Sequence, residues 1–150
     1  MFKPFRQAAK APALTGIVPG TWAANEEANP AGTLKVIAHS HGGNVVMWAT
    51  HLFPAISIDR LILLGTPMRT DFVPDLRRIK RLYNVYTWGD KIQVSGGWPF
   101  VRGEGPTFAD SDKVINLPVT TPLSHLGVVC HSDLHEPSIW QSNGLPGLTT

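Results

Sequence analysis

Along the chain, short apolar runs alternate with segments in which the apolar residues have the spacing of a helix. Five runs have the length of strands, at residues 14–18, 33–38, 58–64, 83–88 and 114–119. The run 58–64 is continuously apolar after Asp59 and Arg60, which is typical of a strand buried on both faces. Helical spacing predicts helices over residues 43–52, 74–82 and 137–141. This alternation predicts an α/β fold with a mostly parallel sheet of about five strands and flanking helices.

Length and composition indicate one globular domain. The 150 residues are 43% hydrophobic, and residues 1–13 are predicted to form a peripheral, basic N-terminal segment of the domain 1–150. The single cysteine, Cys130, cannot form an internal disulfide. No apolar run has membrane-spanning length, and Pro12, Gly16 and Pro19 interrupt what would be the apolar core of a signal peptide. We therefore expect a cytoplasmic protein without an integral membrane segment.

Charge does not favour a nucleic-acid partner. The formal net charge is +2, and the basic residues do not form a stripe. One basic cluster falls within the predicted helix 74–82 and consists of Arg77, Arg78, Lys80 and Arg81. We expect it to be a solvated helix face rather than a nucleic-acid site.

Ser40 lies at the turn between the predicted strand 33–38 and the predicted helix 43–52. The residues two positions before and after Ser40 are small, namely Ala38 and Gly42. The segment therefore meets the G-x-S-x-G pattern with Ala in place of the first Gly. Such a turn would lift the Ser40 hydroxyl above the strand ends and direct the backbone N–H of His41 towards a developing oxyanion. An ordinary strand-to-helix turn with a serine cap is the alternative interpretation.

Polar residues follow two later strands, at positions where parallel sheets collect their ligands. Asp90 follows strand 83–88, and three histidines follow strand 114–119, namely His125, His131 and His135. The chain order Ser, Asp, His resembles that of the α/β-hydrolase family. The resemblance covers residues 14–141, and it rests on Val-Pro-Gly-Thr-Trp at 18–22, Ala-His-Ser-His-Gly-Gly at 38–43, Trp-Gly-Asp-Lys-Ile at 88–92 and His-Ser-Asp-Leu-His-Glu-Pro at 131–137.

The resemblance implies a catalytic triad of Ser40, Asp90 and His131. A serine hydroxyl is a weak nucleophile until a histidine takes its proton, and a buried carboxylate orients that histidine. Asp71 is the competing acid, because some family members place the acid after the preceding strand. His131 is favoured as the base because a small polar residue and then Pro137 follow it, as in the family. Two other histidines stay open as alternatives, His135 and His125.

The resemblance also implies an oxyanion hole built from backbone amides. His41 would supply one amide. The segment 18–22 is similar to the family's His-Gly segment, which usually supplies the second, but Pro19 occupies the position of the family's histidine. The second donor is therefore either Thr21 or Trp22.

The function expected from this resemblance is hydrolysis of small-molecule carboxylic esters by a serine esterase or lipase, through an acyl-enzyme. Neither a cofactor nor a metal is expected: His39 and His41, with His131 and His135, superficially suggest zinc ligands, but no Asp-His sequence follows His41 and no cysteine cluster is present. A thioesterase, amidase or acyltransferase with the same triad is an alternative. A non-catalytic binding or assembly module with a hydrolase fold is another.

The chain resembles a condensed or truncated member of that family. Only about twenty residues separate Gly20 from Ser40, which leaves room for one crossover. Strands equivalent to 3-5-6-7-8 of the family sheet would remain neighbours. Right-handed crossovers would then place every connecting helix on one face. Part of the other face, including residues 58–64, would be exposed and apolar, which predicts a homo-oligomer or a partner covering that face.

Overall fold

A computed structural model describes residues 34–94, 105–122 and 128–150, and all of these after Leu34 belong to one compact unit, Lys35–Thr150. The strands are β1 (Lys35–His39), β2 (Ile58–Leu64), β3 (Ile79–Tyr86) and β4 (Val114–Pro118). The α-helices are α1 (His41–Leu52), α2 (Lys91–Val94), α3 (Val128–Asp133) and α4 (Pro137–Ser142). Within the described ranges, two 3-10 helices cover Leu76–Arg78 and Leu145–Leu148.

The four described strands form one parallel sheet in the order β1-β2-β3-β4. Helices flank it, so the predicted α/β class is confirmed, whereas the number of described strands is four rather than about five. The predicted strand 14–18 lies outside the described residues. Because all four strands run the same way, the segments that follow them meet at one end of the sheet, called here the carboxyl end.

Strand β2 is buried on both faces, as its apolar run predicts. Leu61, Ile62 and Leu63 have no exposed surface. On one face Ile62 belongs to a hydrophobic cluster with Leu134 and Leu145 from the C-terminal segment. That segment covers the face of β2 that we expected to be exposed, so the expectation is wrong there. Self-association stays a prediction, but an exposed face of β2 no longer supports it.

The predicted helix 74–82 is wrong. Asp75 accepts a hydrogen bond from the Arg77 backbone N–H and caps only one 3-10 turn, after which β3 begins at Ile79. The spacing of Ile79 and Leu82 fits a helix, but pairing with β2 buries both residues in the sheet. The side-chain hydrogen bond from Arg77, opposed by burial, lowers the pKa of Asp75 from 3.8 to about 2.

The remaining helices differ in how well local patterns predict them. The predicted helices 43–52 and 137–141 correspond to α1 and α4. Helix α3 was not predicted, and it carries His131. None of the helices in the described parts of the chain is long and apolar enough to cross a membrane.

Candidate active site

Ser40 joins β1 to α1 in a strained backbone conformation. Its φ is 54° and its ψ −133°, and it is the one non-glycine residue with positive φ among those described. Such a conformation costs about 1–3 kcal/mol and persists only where surrounding contacts hold it. Here the Ser40 N–H donates to the Leu64 carbonyl at 2.9 Å, and the Ser40 carbonyl accepts from the Gly43 N–H at 3.0 Å. The side chain makes no capping hydrogen bond, so the structure does not support the interpretation of a serine cap.

Close packing at this turn involves Gly43 rather than Gly42. A Cβ added at Gly43 would lie 2.0 Å from Thr66 Oγ1, whereas one added at Gly42 would meet no neighbour within 4 Å among the described residues. The sequence pattern assigned the need for a small residue to Gly42. The structure corrects this by one position, because α1 passes directly against the segment that follows β2.

Asp90 and His131 form a buried hydrogen-bonded pair. The distance from His131 Nδ1 to Asp90 Oδ2 is 2.6 Å, and the two residues are 5% and 0% exposed. Asp90 follows β3, and its Oδ1 accepts hydrogen bonds from the backbone N–H groups of Ile92 and Gln93, both at 2.9 Å. An ionised carboxylate can only accept, so Nδ1 carries the shared hydrogen and Nε2 of a neutral imidazole keeps its lone pair.

The residues considered as alternatives to Asp90 and His131 do not form this pair in the described parts of the chain. Asp71 is paired with Arg69 through two hydrogen bonds of 2.8 Å, and its side chain is 45% exposed. His135 is exposed, and its ring contacts that of His39. His125 lies outside the described residues. The structure therefore brings Asp90, rather than Asp71, to His131.

Gly65 supports the Asp90–His131 pair, although the sequence interpretation missed it. It follows β2 with φ of 56°, a conformation that favours glycine. A Cβ there would lie 3.0 Å from His131 Nδ1, 3.1 Å from Asp90 Oδ2 and 2.8 Å from Leu134 Cδ1. A glycine immediately after a buried strand is the local signal that could have identified it.

Ser40 and the pair share the carboxyl end of the sheet. Ser40 is hydrogen-bonded to Leu64, the residue before Gly65, and His39 Nε2 donates to the His131 carbonyl at 2.9 Å. Neighbouring strands lie about 4.8 Å apart, so the end of β1 is one strand spacing from the glycine beneath the pair. No hydrogen bond joins the Ser40 hydroxyl to His131 among the described residues. Such bonds are often long in enzymes without substrate.

The predicted oxyanion donors are described in part. His41 is the first residue of α1, next to Ser40, and its Nδ1 accepts from Asn44 Nδ2 at 3.2 Å. Thr21 and Trp22 lie outside the described residues. Across the described ranges no group of three or more His, Cys, Asp or Glu side chains is arranged to hold a metal ion.

Comparison with known protein families, curated proteins and solved structures finds no match for this chain.

Proposed function

We propose that this protein is a serine hydrolase that cleaves carboxylic esters through an acyl-enzyme. The observation that carries the proposal is the buried Asp90–His131 hydrogen bond at the same end of the sheet as the strained Ser40. A nucleophile, a base and a group that orients the base are the parts that nucleophilic acyl transfer requires.

Each residue has a defined part in the proposed reaction. His131 Nε2 takes the Ser40 hydroxyl proton as the serine oxygen bonds to the ester carbonyl carbon. The carbonyl oxygen becomes an oxyanion near the start of α1, where the His41 N–H is the proposed donor. His131 returns the proton to the departing alcohol as the C–O bond breaks. A water molecule then gives its proton to His131 and attacks the acyl carbon. The bond to the Ser40 oxygen breaks, the acid leaves, and His131 returns the proton to Ser40. Asp90 orients the imidazole and stabilises the imidazolium in both halves of the reaction.

Apolar surface beside Asp90 supports an ester with an apolar part. Trp88 precedes Asp90 by two residues, is 69% exposed, and contacts the ring of Tyr86 edge-on. Val94, at the end of α2, is 39% exposed. Exposed apolar side chains at the border of a site favour an apolar substrate group. The same triad can also cleave thioesters, and a series of substrates is needed to identify the acyl chain length and the leaving group.

Hydrolysis of p-nitrophenyl esters of increasing acyl length tests the proposal. We expect Ser40→Ala to lose about 10⁶-fold in kcat, down to the background rate. Ser138→Ala is the matched control, because Ser138 is an exposed serine on α4. If freshly purified Ser40→Ala keeps a tenth of the wild-type rate, Ser40 is not the nucleophile. A wild-type chain that is inert towards every ester would favour a non-catalytic binding module instead.

A further inference from the structure

His39 connects the serine turn to the residue that carries the proposed base. It is the last residue of β1 and directly precedes Ser40. Its Nε2–H donates to the backbone carbonyl of His131 at 2.9 Å, and the two rings lie 4.7 Å apart between centroids, tilted by 42°. The ring of His135 approaches His39 edge-on, with centroids 5.1 Å apart. His39 therefore contacts both the backbone and the ring of His131.

The accepting carbonyl is one that the helix itself leaves without a partner. His131 lies in the last turn of α3, where carbonyls have no intrahelical N–H to accept from. His39 supplies that hydrogen bond from β1. His131 is thus held at two points: Asp90 holds its imidazole, and His39 holds its backbone. The second point fixes the imidazole relative to β1, the strand that ends directly before Ser40.

The charge state of His39 fits this contact. The titratable groups that face it are His131, His135 and Asp90. Burial lowers the pKa of His39 below 6.5, and the hydrogen bond to the His131 carbonyl opposes this only in part. A neutral His39 ring beside His131 avoids repulsion when His131 takes up a proton. Because a carbonyl can only accept, the hydrogen of neutral His39 is on Nε2.

We propose that His39 is a positioning residue, which holds His131 at the distance from Ser40 that proton transfer requires. This inference rests on the proposed function for its catalytic consequence. Its structural part, the restraint of His131 by the His39 hydrogen bond, is independent of that function. The two parts can therefore be tested separately.

Two substitutions separate the ring of His39 from its hydrogen bond. His39→Phe keeps an aromatic ring against His131 but removes the donor, and His39→Gln keeps a donor without the ring. His51→Phe is the matched control. His51 also donates from Nε2 to a backbone carbonyl, that of Val73, but it does so from an exposed position at the far end of α1.

The first readout is the NMR signal of the imidazole proton shared by His131 and Asp90, which needs no activity. In His39→Phe we expect this signal to shift and to exchange faster with solvent, and in His51→Phe to match wild type. The second readout is ester hydrolysis. We expect His39→Phe to lose about tenfold to a hundredfold in kcat with little change in KM, because a small displacement of a catalytic group costs about that much.

The outcomes distinguish the two proposals. A His39→Phe protein with wild-type kcat and an unchanged imidazole signal overturns the inference. A wild-type chain that hydrolyses no ester, but whose imidazole signal changes in His39→Phe, refutes the proposed function and supports the restraint. If His39→Phe does not fold, His39→Gln carries the test: a signal and kcat close to wild type support the hydrogen bond, and a loss as deep as that of Ser40→Ala overturns it.

Discussion

Replacing Gly65 by alanine tests whether the Asp90–His131 pair depends on the bare backbone beneath it. The added Cβ would approach His131 Nδ1 and Asp90 Oδ2 at 3.0 and 3.1 Å, distances that force neighbouring atoms to move. Those two atoms share the 2.6 Å hydrogen bond, so any displacement of either atom would disturb that bond. The third neighbour, Leu134, is fully buried and cannot move into solvent.

The expected cost has two parts. Alanine at a φ of 56° costs about 1–2 kcal/mol by its backbone conformation alone. Overpacking against buried neighbours adds about 1–3 kcal/mol. We therefore expect Gly65→Ala to lose about 2–5 kcal/mol in the free energy of unfolding, and at least about a hundredfold in kcat through displacement of the imidazole.

Gly144→Ala is a matched control. Gly144 has a φ of 67°, but a Cβ there would meet no neighbour within 4 Å among the described residues. Gly144→Ala should therefore lose only the backbone part of the free energy of unfolding, and its kcat should be unchanged. Urea unfolding and ester hydrolysis of both variants provide the comparison. Equal losses of stability with wild-type kcat in both would refute the reasoning, because Gly65 would then matter only for its backbone conformation.

Three further predictions concern other residues. Gly43→Ala should lower the free energy of unfolding, measured with urea, by about 1–3 kcal/mol through overpacking. Gly42→Ala should leave it unchanged or raise it by up to about 1 kcal/mol through helix propensity. The reverse order would show that the small residue is required at Gly42. Asp90→Asn should reduce kcat about ten-thousand-fold and Asp71→Asn only slightly, and the reverse ranking would assign the acid to Asp71. Asp75 has a pKa of about 2 in the folded chain, below 3.8, so its ionised form should stabilise the wild type over Asp75→Asn above about pH 4, and this advantage should shrink as the pH falls towards 2. A difference in unfolding free energy that does not change with pH would contradict this assignment.

Local patterns predicted the elements whose signals are local. Strand β2 has the predicted bounds because its continuous apolar run reports burial on both faces. The turn at Ser40 was predicted from its small flanking residues and the change of periodicity around it. The segment 74–82 was misassigned because Leu76, Ile79 and Leu82 are spaced for a helix, and pairing with β2, which lies far away in the sequence, decides the outcome.

Only the parts of the candidate site that follow from the order of the strands were predicted from the sequence. Asp90 and His131 follow different strands of a parallel sheet, so their approach could be anticipated from topology, and the structure shows their contact. Gly65 and His39 were missed as parts of the site, because their importance depends on which side chain lies above a strand end. The periodicity of apolar residues along the chain does not indicate which side chains contact Gly65 and His39.

Covalent labelling with a fluorophosphonate probe, followed by mass spectrometry of the digested protein, tests the central claim most directly. The account predicts one adduct, on the peptide that contains Ser40. It predicts no adduct in Ser40→Ala, and labelling slowed at least about a thousandfold in His131→Ala, because the base activates the hydroxyl. Labelling at another serine, or labelling of Ser40 at the wild-type rate without His131, would contradict the proposed triad.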